Sequence, residues 1–260
     1  MNSKNIALWD LDSTLIDTNL VFEEAQRNVI KRLSDELKNM NVEINPDEEQ
    51  EMDLLRAVDY EGIKIRGHTR YDSAHQLPLS LLFIYLGKSG ADNKYKAAWL
   101  ANKGYPITEE IGKEYIECLG KTPKKFPGIE DILEESAKKN YNVLFTEYFE
   151  NRENQYKKIT ENGLEKYFDK VIMTEKKDEL AIASAVEYSR LENKIEKGKN
   201  FKLIYIDDRS KYLEMMKRIY PFCTTINVLF NKKEIFRETS GKVDYIAKDI
   251  GELTDLIKNI

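Results

Sequence analysis

From Thr122 onward the chain alternates short apolar runs with helical patterns, and this alternation restricts the fold more than any other feature. Phe126-Pro-Gly-Ile129 leads into a helix predicted to end near Asn140, and residues 141–146 read as a buried strand. A helix around 151–161 precedes a strand at 170–174, and a helix from about 178 to 191 precedes a strand at 201–206. A helix at 210–220, a strand at 225–230, a short strand at 244–247 and a terminal helix complete the series. Apolar strands separated by helices build a parallel sheet covered on both faces. The predicted fold class is therefore α/β, a doubly wound parallel sheet. The apolar run at Ile6-Ala-Leu-Trp9 supplies one more strand, so residues 1–17 and 122–260 form the layered core.

Between these pieces, residues 18–121 carry hardly any strand signal and read as an all-helical insertion. Asn19 is placed to cap a helix running to about Met40, with Val21, Phe22, Ala25, Val29, Ile30, Leu33 and Leu37 at helical spacing. Further helices are predicted near 48–58, 73–86, 94–102 and 109–119, with turns at 88–93 and 103–106 between them. A length of 260 residues suits a core with a smaller second unit. The 41% hydrophobic and 33% charged content is that of a globular chain, and a net charge of -5 argues against a nucleic-acid partner. The two cysteines, Cys118 and Cys223, give no disulfide framework or thiol metal site. The longest apolar stretch, 77–86, contains Pro78 and is about half a bilayer span, so no membrane segment is expected. The first strand is reached by Ile6, which leaves no room for a signal peptide, and the chain reads as cytoplasmic.

Polar residues recur where the predicted strands end. The first strand runs into Asp10 and Asp12, spaced i and i+2, with Thr14 close behind. In an extended strand such a pair projects to one side, and two acids in one pocket suit a division into nucleophile and proton carrier. A plain Asp-rich turn is the competing explanation. The 141–146 strand ends in Thr146, the 201–206 strand in Asp207-Asp208, and Lys176-Lys177 lie between the 170–174 strand and its helix. All fall at the carboxyl edge of the sheet, where ligands bind in folds of this class.

Taken in order, these residues resemble the four motifs of the haloacid dehalogenase-like (HAD) superfamily of hydrolases. Asp10, Asp12 and Thr14 match its D-x-D-x-T/S motif, Thr146 the second motif, Lys177 or Lys176 the third, and Asp207-Asp208 the fourth. Pro127-Gly128-Ile129 before motif two and Asp244-Tyr-Ile-Ala with Glu252-Leu253 near the end are also typical. The insertion resembles the family's helical C1-type cap, which over the sheet edge would exclude water and supply substrate contacts. The resemblance implies that Asp10 attacks a phosphorus to give an aspartyl-phosphate. It implies that Lys177 supplies fixed positive charge and that the Thr146 hydroxyl donates to a phosphoryl oxygen. A carboxylate attacking a phosphate dianion needs imported positive charge, and Mg²⁺ prefers carboxylate oxygens, so Asp10, Asp207 and Asp208 are the expected ligands. The resemblance adds the main-chain carbonyl of Asp12.

Asp12 would protonate the leaving alkoxide and later activate water. An unperturbed Asp is protonated at pH 7 in only about one molecule in a thousand, so an acid role requires surroundings that raise its pKa. Relatives acting on carbon substrates lack an acid here and P-type ATPases carry Thr, so Asp12 implies a phosphatase or phosphomutase. The reading is a Mg²⁺-dependent phosphatase acting on a small phosphorylated substrate, with no nucleic-acid or membrane partner. A sugar-phosphate mutase and a non-catalytic binding protein on the same scaffold are the alternatives.

Within the insertion, Lys64-Ile-Arg66-Gly67-His68-Thr69-Arg70 groups basic side chains around a glycine. It is suited to gripping a second anionic group, although a solvated loop is the commoner explanation. His68 and His75 lack matching ligands for a metal, and Phe83, Tyr85 and Trp99 read as helical-core residues. Tyr148, Phe149 and Arg152 follow motif two as helix-start residues near the site.

Overall fold

The computed structural model describes residues 5–40, 42–66, 75–89, 91–148, 151–196, 198, 200–230 and 241–260. Gly67, His68, Thr69, Arg70 and Phe149 lie outside the described residues, as do the side chains of Lys64 and Arg66. The chain divides into two compact units, Met1–Asn19 with Thr122–Ile260 and Leu20–Lys121.

The first unit is built on six parallel strands in the order β3-β2-β1-β4-β5-β6. These are β1 (Asn5–Trp9), β2 (Asn140–Glu147), β3 (Lys170–Thr174), β4 (Leu203–Asp207), β5 (Thr224–Val228) and β6 (Tyr245–Ala247). β1 lies in the middle, with Leu8 in register with Val143 of β2 and Tyr205 of β4. Side chains alternate between two faces, and each face has its own core. Ala7, Trp9, Leu144, Ile204 and Ile206 pack with Ile129, Ile132 and Leu133 of α6 (Ile129–Lys139) and Leu253 and Ile257 of α10 (Ile250–Asn259). Ile6, Leu8, Val143, Phe145 and Tyr205 pack with Ile182 and Val186 of α8 (Glu179–Glu192) and Leu213 and Met216 of α9 (Ser210–Ile219). The doubly wound architecture is that expected from the strand–helix alternation. Gly128 begins α6 at φ +86°, where a Cβ would also lie 3.2 Å from Ile250 Cγ2. Glycine meets both demands.

The second unit is helical: α1 (Thr18–Leu37, entered from the first unit), α2 (Glu49–Arg66), α3 (Gln76–Lys88), α4 (Asn93–Trp99) and α5 (Tyr105–Leu119). Its core joins Ala25, Val29, Ile30, Leu33 and Leu37 of α1 to Leu81, Leu82 and Tyr85 of α3 and Ile111 and Tyr115 of α5. The Tyr85 hydroxyl donates to Glu51 at 2.8 Å, and Trp99 packs against the same core. Two expected core residues are exposed instead. Phe22 lies off the buried stripe of α1, and Phe83 lies outside the α3 stripe of Leu77, Leu81, Leu82, Tyr85 and Leu86.

The turn expected at 103–106 is absent, and helix continues from Asn93 to Leu119 through a π turn at Leu100–Gly104. The Tyr105 N–H reaches back five residues to Leu100 O. This widening comes just before Pro106, which has no N–H and whose ring would crowd a carbonyl of a regular helix. Gly104 adds room, since a Cβ there would lie 2.7 Å from Leu100 Cδ1 and 3.3 Å from Leu82 Cδ2. No helix among the described residues is long and apolar enough to cross a membrane.

Away from the sheet's carboxyl edge, Asp244 ties β6 to β5. Its Oδ2 accepts from Thr225 N at 2.8 Å, Thr225 Oγ1 at 3.0 Å and Lys217 Nζ at 2.6 Å. Burial favours the neutral acid, but the Lys217 and Thr225 bonds outweigh it and hold the carboxyl below the usual range. A depressed carboxylate stabilises the fold above its unfolded pKa, and that contribution is lost as pH falls through the folded value. Because the side chain is 36% exposed, solvent screening limits the effect. Asp244→Ala is expected to lower stability by about 1 kcal/mol at pH 7. Urea titrations at pH 7 and pH 3 check that the gap narrows toward acid.

Candidate active site

The carboxyl ends of β1 and β4 lie side by side at the centre of the sheet. The Asp10 N–H donates to Ile206 O at 2.9 Å, which carries the β1–β4 ladder one residue past Trp9 and sets Asp10 beside Asp207 and Asp208. One carboxylate oxygen from each of these acids lies within 4.8 Å of the others. Asp10 and Asp207 are buried.

Into this group comes Lys177, the residue just before Asp178, whose side chain caps α8 by accepting from Ala181 N at 2.9 Å. Its Nζ lies 2.5 Å from Asp10 Oδ1 and 2.8 Å from Asp207 Oδ2, with a side chain only 1% exposed. The ammonium also sits 5.4 Å from the ring centroid of Phe145, 5.8 Å from that of Tyr205 and 5.4 Å from that of Tyr212. Tyr205 and Asp207 are two apart on β4 and so share a face, and Phe145 of β2 lies in the same core as Tyr205. Lys176 is exposed, and its main chain closes a turn with Thr174 Oγ1. Of the two lysines, Lys177 is the one joined to the acids.

Burial and charge pull against one another in this cluster. Burial alone would disfavour the ammonium of Lys177, but Asp10 and Asp207 overcome it and raise its pKa. Burial pushes the Asp10 carboxyl well above the usual range, and Asp207 and Asp208 add to this against the lowering pull of Lys177. Lys177 bonds Asp10 and Asp207 while Asp208 interacts with the Arg209 guanidinium, and the all-carboxylate donor set fits a hard divalent cation. The cluster is a candidate divalent-metal site.

Asp12 has different partners. Beyond Asp10 the chain leaves strand geometry: Leu11 O accepts from the N–H groups of Thr14, Leu15 and Ile16, and Ser13 takes φ +60°. This tight turn brings the Asp12 carboxylate to α7 (Arg152–Glu161). Oδ1 accepts from Thr18 Oγ1 at 2.9 Å and Lys158 Nζ at 2.8 Å, and Oδ2 accepts from Gln155 Nε2 at 2.6 Å. The two acids expected to project together are therefore held by different lysines. Burial would raise the Asp12 carboxyl, but Lys158, Gln155 and Thr18 outweigh it and hold it below its ordinary value. This is the reverse of the rise that an acid role calls for. The Asp12 carboxylate is also not part of the Asp10–Asp207–Asp208 group.

Gln155 links two of the predicted positions, because its Nε2 also donates to Thr146 Oγ1 at 2.7 Å. Thr146 and Gln155 are both buried. Asn151 caps α7 by accepting from Asn154 N at 2.7 Å, and this start places Gln155 and Lys158 one turn apart on one side. Sequence reasoning missed both. Lys158 belongs to a Lys157-Lys158 pair resembling any solvated helix face, whereas the i,i+3 spacing of Gln155 and Lys158 after Thr146 was the available signal. Tyr205, two residues before Asp207, carried a period-two signal of the same kind. Tyr148 donates to Glu175 Oε1 at 2.9 Å, and Arg152 is exposed at the start of α7. Thr14 Oγ1 donates to Asp10 Oδ2 at 3.4 Å.

No protein-family model and no curated protein matches the chain. Solved structures do. A protein from Thermotoga maritima assigned as a beta-phosphoglucomutase aligns with TM-score 0.58 and 15% identity, covering 98% of this chain and 99% of that one. The Bacillus subtilis HAD-hydrolase YfnB, solved bound to magnesium, aligns with TM-score 0.59 and 13% identity over 100% of both chains. The L-2-haloacid dehalogenase of Xanthobacter autotrophicus aligns with TM-score 0.51 and 12% identity over 99% of both chains. With likeness running the length of each of these chains, and strand ends bearing acids and a lysine at one sheet edge, this chain has the fold of the HAD-like hydrolases.

Proposed function

We propose that the chain is a Mg²⁺-dependent phosphatase that hydrolyses a small phosphomonoester through a phosphoenzyme on Asp10. The observation that carries this reading is the buried Lys177 ammonium bridging Asp10 and Asp207, with Asp208 completing a three-acid group. Asp10 is the member at the end of the central strand and acts as nucleophile, its carboxylate oxygen forming the bond to phosphorus as the bond to the ester oxygen breaks and that oxygen takes a proton from solvent water. Lys177 holds that carboxylate in place and supplies fixed positive charge beside the transferring group. Asp10, Asp207, Asp208 and the main-chain carbonyl of Asp12 would hold Mg²⁺, which would supply the further charge neutralisation that a phosphate dianion needs among these acids.

Asp12 has the proton work. Paired to Lys158 it is in its proton-accepting form, the form needed to take a proton from the water that releases phosphate from Asp10. Gln155 spans Asp12 and Thr146, so the proton carrier and the proposed phosphoryl-oxygen donor keep a fixed relation. An acid at position 12 favours phosphate esters over carbon halides, although the fold is common to both kinds of neighbour.

Asp10→Asn is expected to reduce phosphate release to background while the far-ultraviolet circular dichroism stays that of the wild type; unchanged turnover would remove Asp10 as nucleophile. Chelation with EDTA is expected to stop phosphate release from a panel of sugar phosphates, nucleotides and small acid phosphates, with Mg²⁺ restoring it. Full activity in the chelator would exclude the metal role. Product analysis on the same panel separates hydrolysis from a mutase, which would return the phosphoryl group to the sugar. Gln155→Leu or Lys158→Met is expected to lower kcat by up to about 10²-fold with a smaller change in KM, since each loosens Asp12 without removing it. An equal fall in both variants of kcat and thermal stability at the assay temperature would assign them a structural role only.

A further inference from the structure

The hydroxyl of Tyr205 has a partner that the proposed chemistry does not use. It donates to Asp207 Oδ2 at 2.7 Å, the same oxygen that Lys177 Nζ reaches at 2.8 Å. The other oxygen, Oδ1, accepts from the Arg209 main-chain N–H at 2.8 Å. An ionised carboxylate has about four lone-pair directions. Among the described residues, two donors fill Oδ2 and one donor leaves a single direction open on Oδ1. The carboxylate is pinned at both ends, so it cannot turn its open side elsewhere without breaking a buried hydrogen bond.

We infer that Tyr205 is a positioning residue for the cation site, fixing the plane of the Asp207 carboxylate so that Oδ1 faces the ion. Lys177 alone does not do this, because its ammonium is shared with Asp10 at 2.5 Å and bonds one oxygen of each acid. With only Lys177 on Oδ2 and the Arg209 N–H on Oδ1, each oxygen would keep one open direction. The Tyr205 hydroxyl, from a ring buried on the same strand face, fills the open direction on Oδ2 and leaves the one on Oδ1. Tyr205 acts through Asp207 and makes no contact with substrate in this role. The inference rests on the proposed metal reading and adds to it a residue that tunes affinity.

The experiment is direct Mg²⁺ binding to the purified full chain by isothermal titration calorimetry, with no substrate present. Tyr205→Phe keeps the ring beside Lys177 and removes only the hydroxyl. It is expected to weaken Mg²⁺ binding by about 10- to 100-fold, the usual effect of losing a hydrogen-bond partner of a metal ligand. Tyr212→Phe is the control: its ring also faces Lys177, but its hydroxyl donates to Glu147 at 2.6 Å, and the Mg²⁺ dissociation constant should stay at the wild-type value. In an Asp207→Asn background Tyr205→Phe should cost no further affinity, a coupling that general loosening of the fold would not produce. Tyr205→Met, which replaces the ring with a flexible apolar chain, carries the same expectation should the phenylalanine variant not fold. Wild-type affinity in either Tyr205 variant overturns the role of Tyr205 while leaving the metal reading intact. Absence of Mg²⁺ binding by the wild type overturns both.

Discussion

The contact of Lys177 with Asp10 and Asp207 is the interaction around which the polar edge of the first unit's sheet is arranged. A lysine with a side chain 1% exposed is costly to desolvate, and only close opposite charge with satisfied hydrogen bonds offsets that cost. Most of its support comes from the sheet. β1 and β4 are hydrogen-bonded neighbours, so their last residues bring two acids to one point. Period-two alternation then puts Tyr205 on the Asp207 face, and the neighbouring β2 brings Phe145 alongside, so aromatic rings rather than water surround the ammonium. The Asp178 cap fixes where α8 begins and hence where Lys177 enters. If the β1–β4 register slipped by one residue, the two acids would face opposite sides of the sheet and the lysine would lose its reason to be buried.

The turn after β1 creates a second charged centre from the same short segment. Asp10 and Asp12 are two residues apart in sequence, yet one pairs with Lys177 and the other with Lys158. A tight turn through Ser13 at positive φ makes this separation, and its backbone strain is held by Leu11 O, which takes three N–H groups. The consequence is chemical. Two carboxylates sharing one environment would compete for one proton, whereas two carboxylates with separate cations can keep distinct roles. Gln155 then ties the second centre back to the sheet through Thr146, so the pieces remain one rigid assembly within the first unit.

Much of this was legible in the sequence, for identifiable reasons. Strands buried on both faces read as continuous apolar runs, and all six lie where such runs were seen, with ends shifted by up to two residues. Asp10, Thr146, Asp207 and Asp208 were visible because each marks the point where an apolar run gives way to polar residues, whereas Lys177 was visible only as one of a pair with Lys176. Direction was not visible. Period-two reasoning stops where the strand stops, and it sent Asp12 toward Asp10 although the turn takes it to α7. The helical unit misled in another way: Gly104 and Pro106 are breakers by composition, but a π turn absorbs both inside one continuous helix. Phe83 was placed in the core by residue type, although its position on α3 puts it outside the buried stripe.

Fold likeness to a mutase, a hydrolase and a dehalogenase leaves the chemistry to be decided by charge. Three acids gathered at one point work against binding an anion, a phosphate dianion more strongly than a singly charged carboxylate. On the proposed reading that repulsion is what makes a divalent cation necessary, since it converts an acid-rich cavity into one that holds a dianion against a carboxylate nucleophile. The second centre follows the same logic. On the proposed reading a buried carboxylate braced by Lys158, Gln155 and Thr18 has a proton to take. It is the proton that must leave the water attacking the proposed phosphoenzyme.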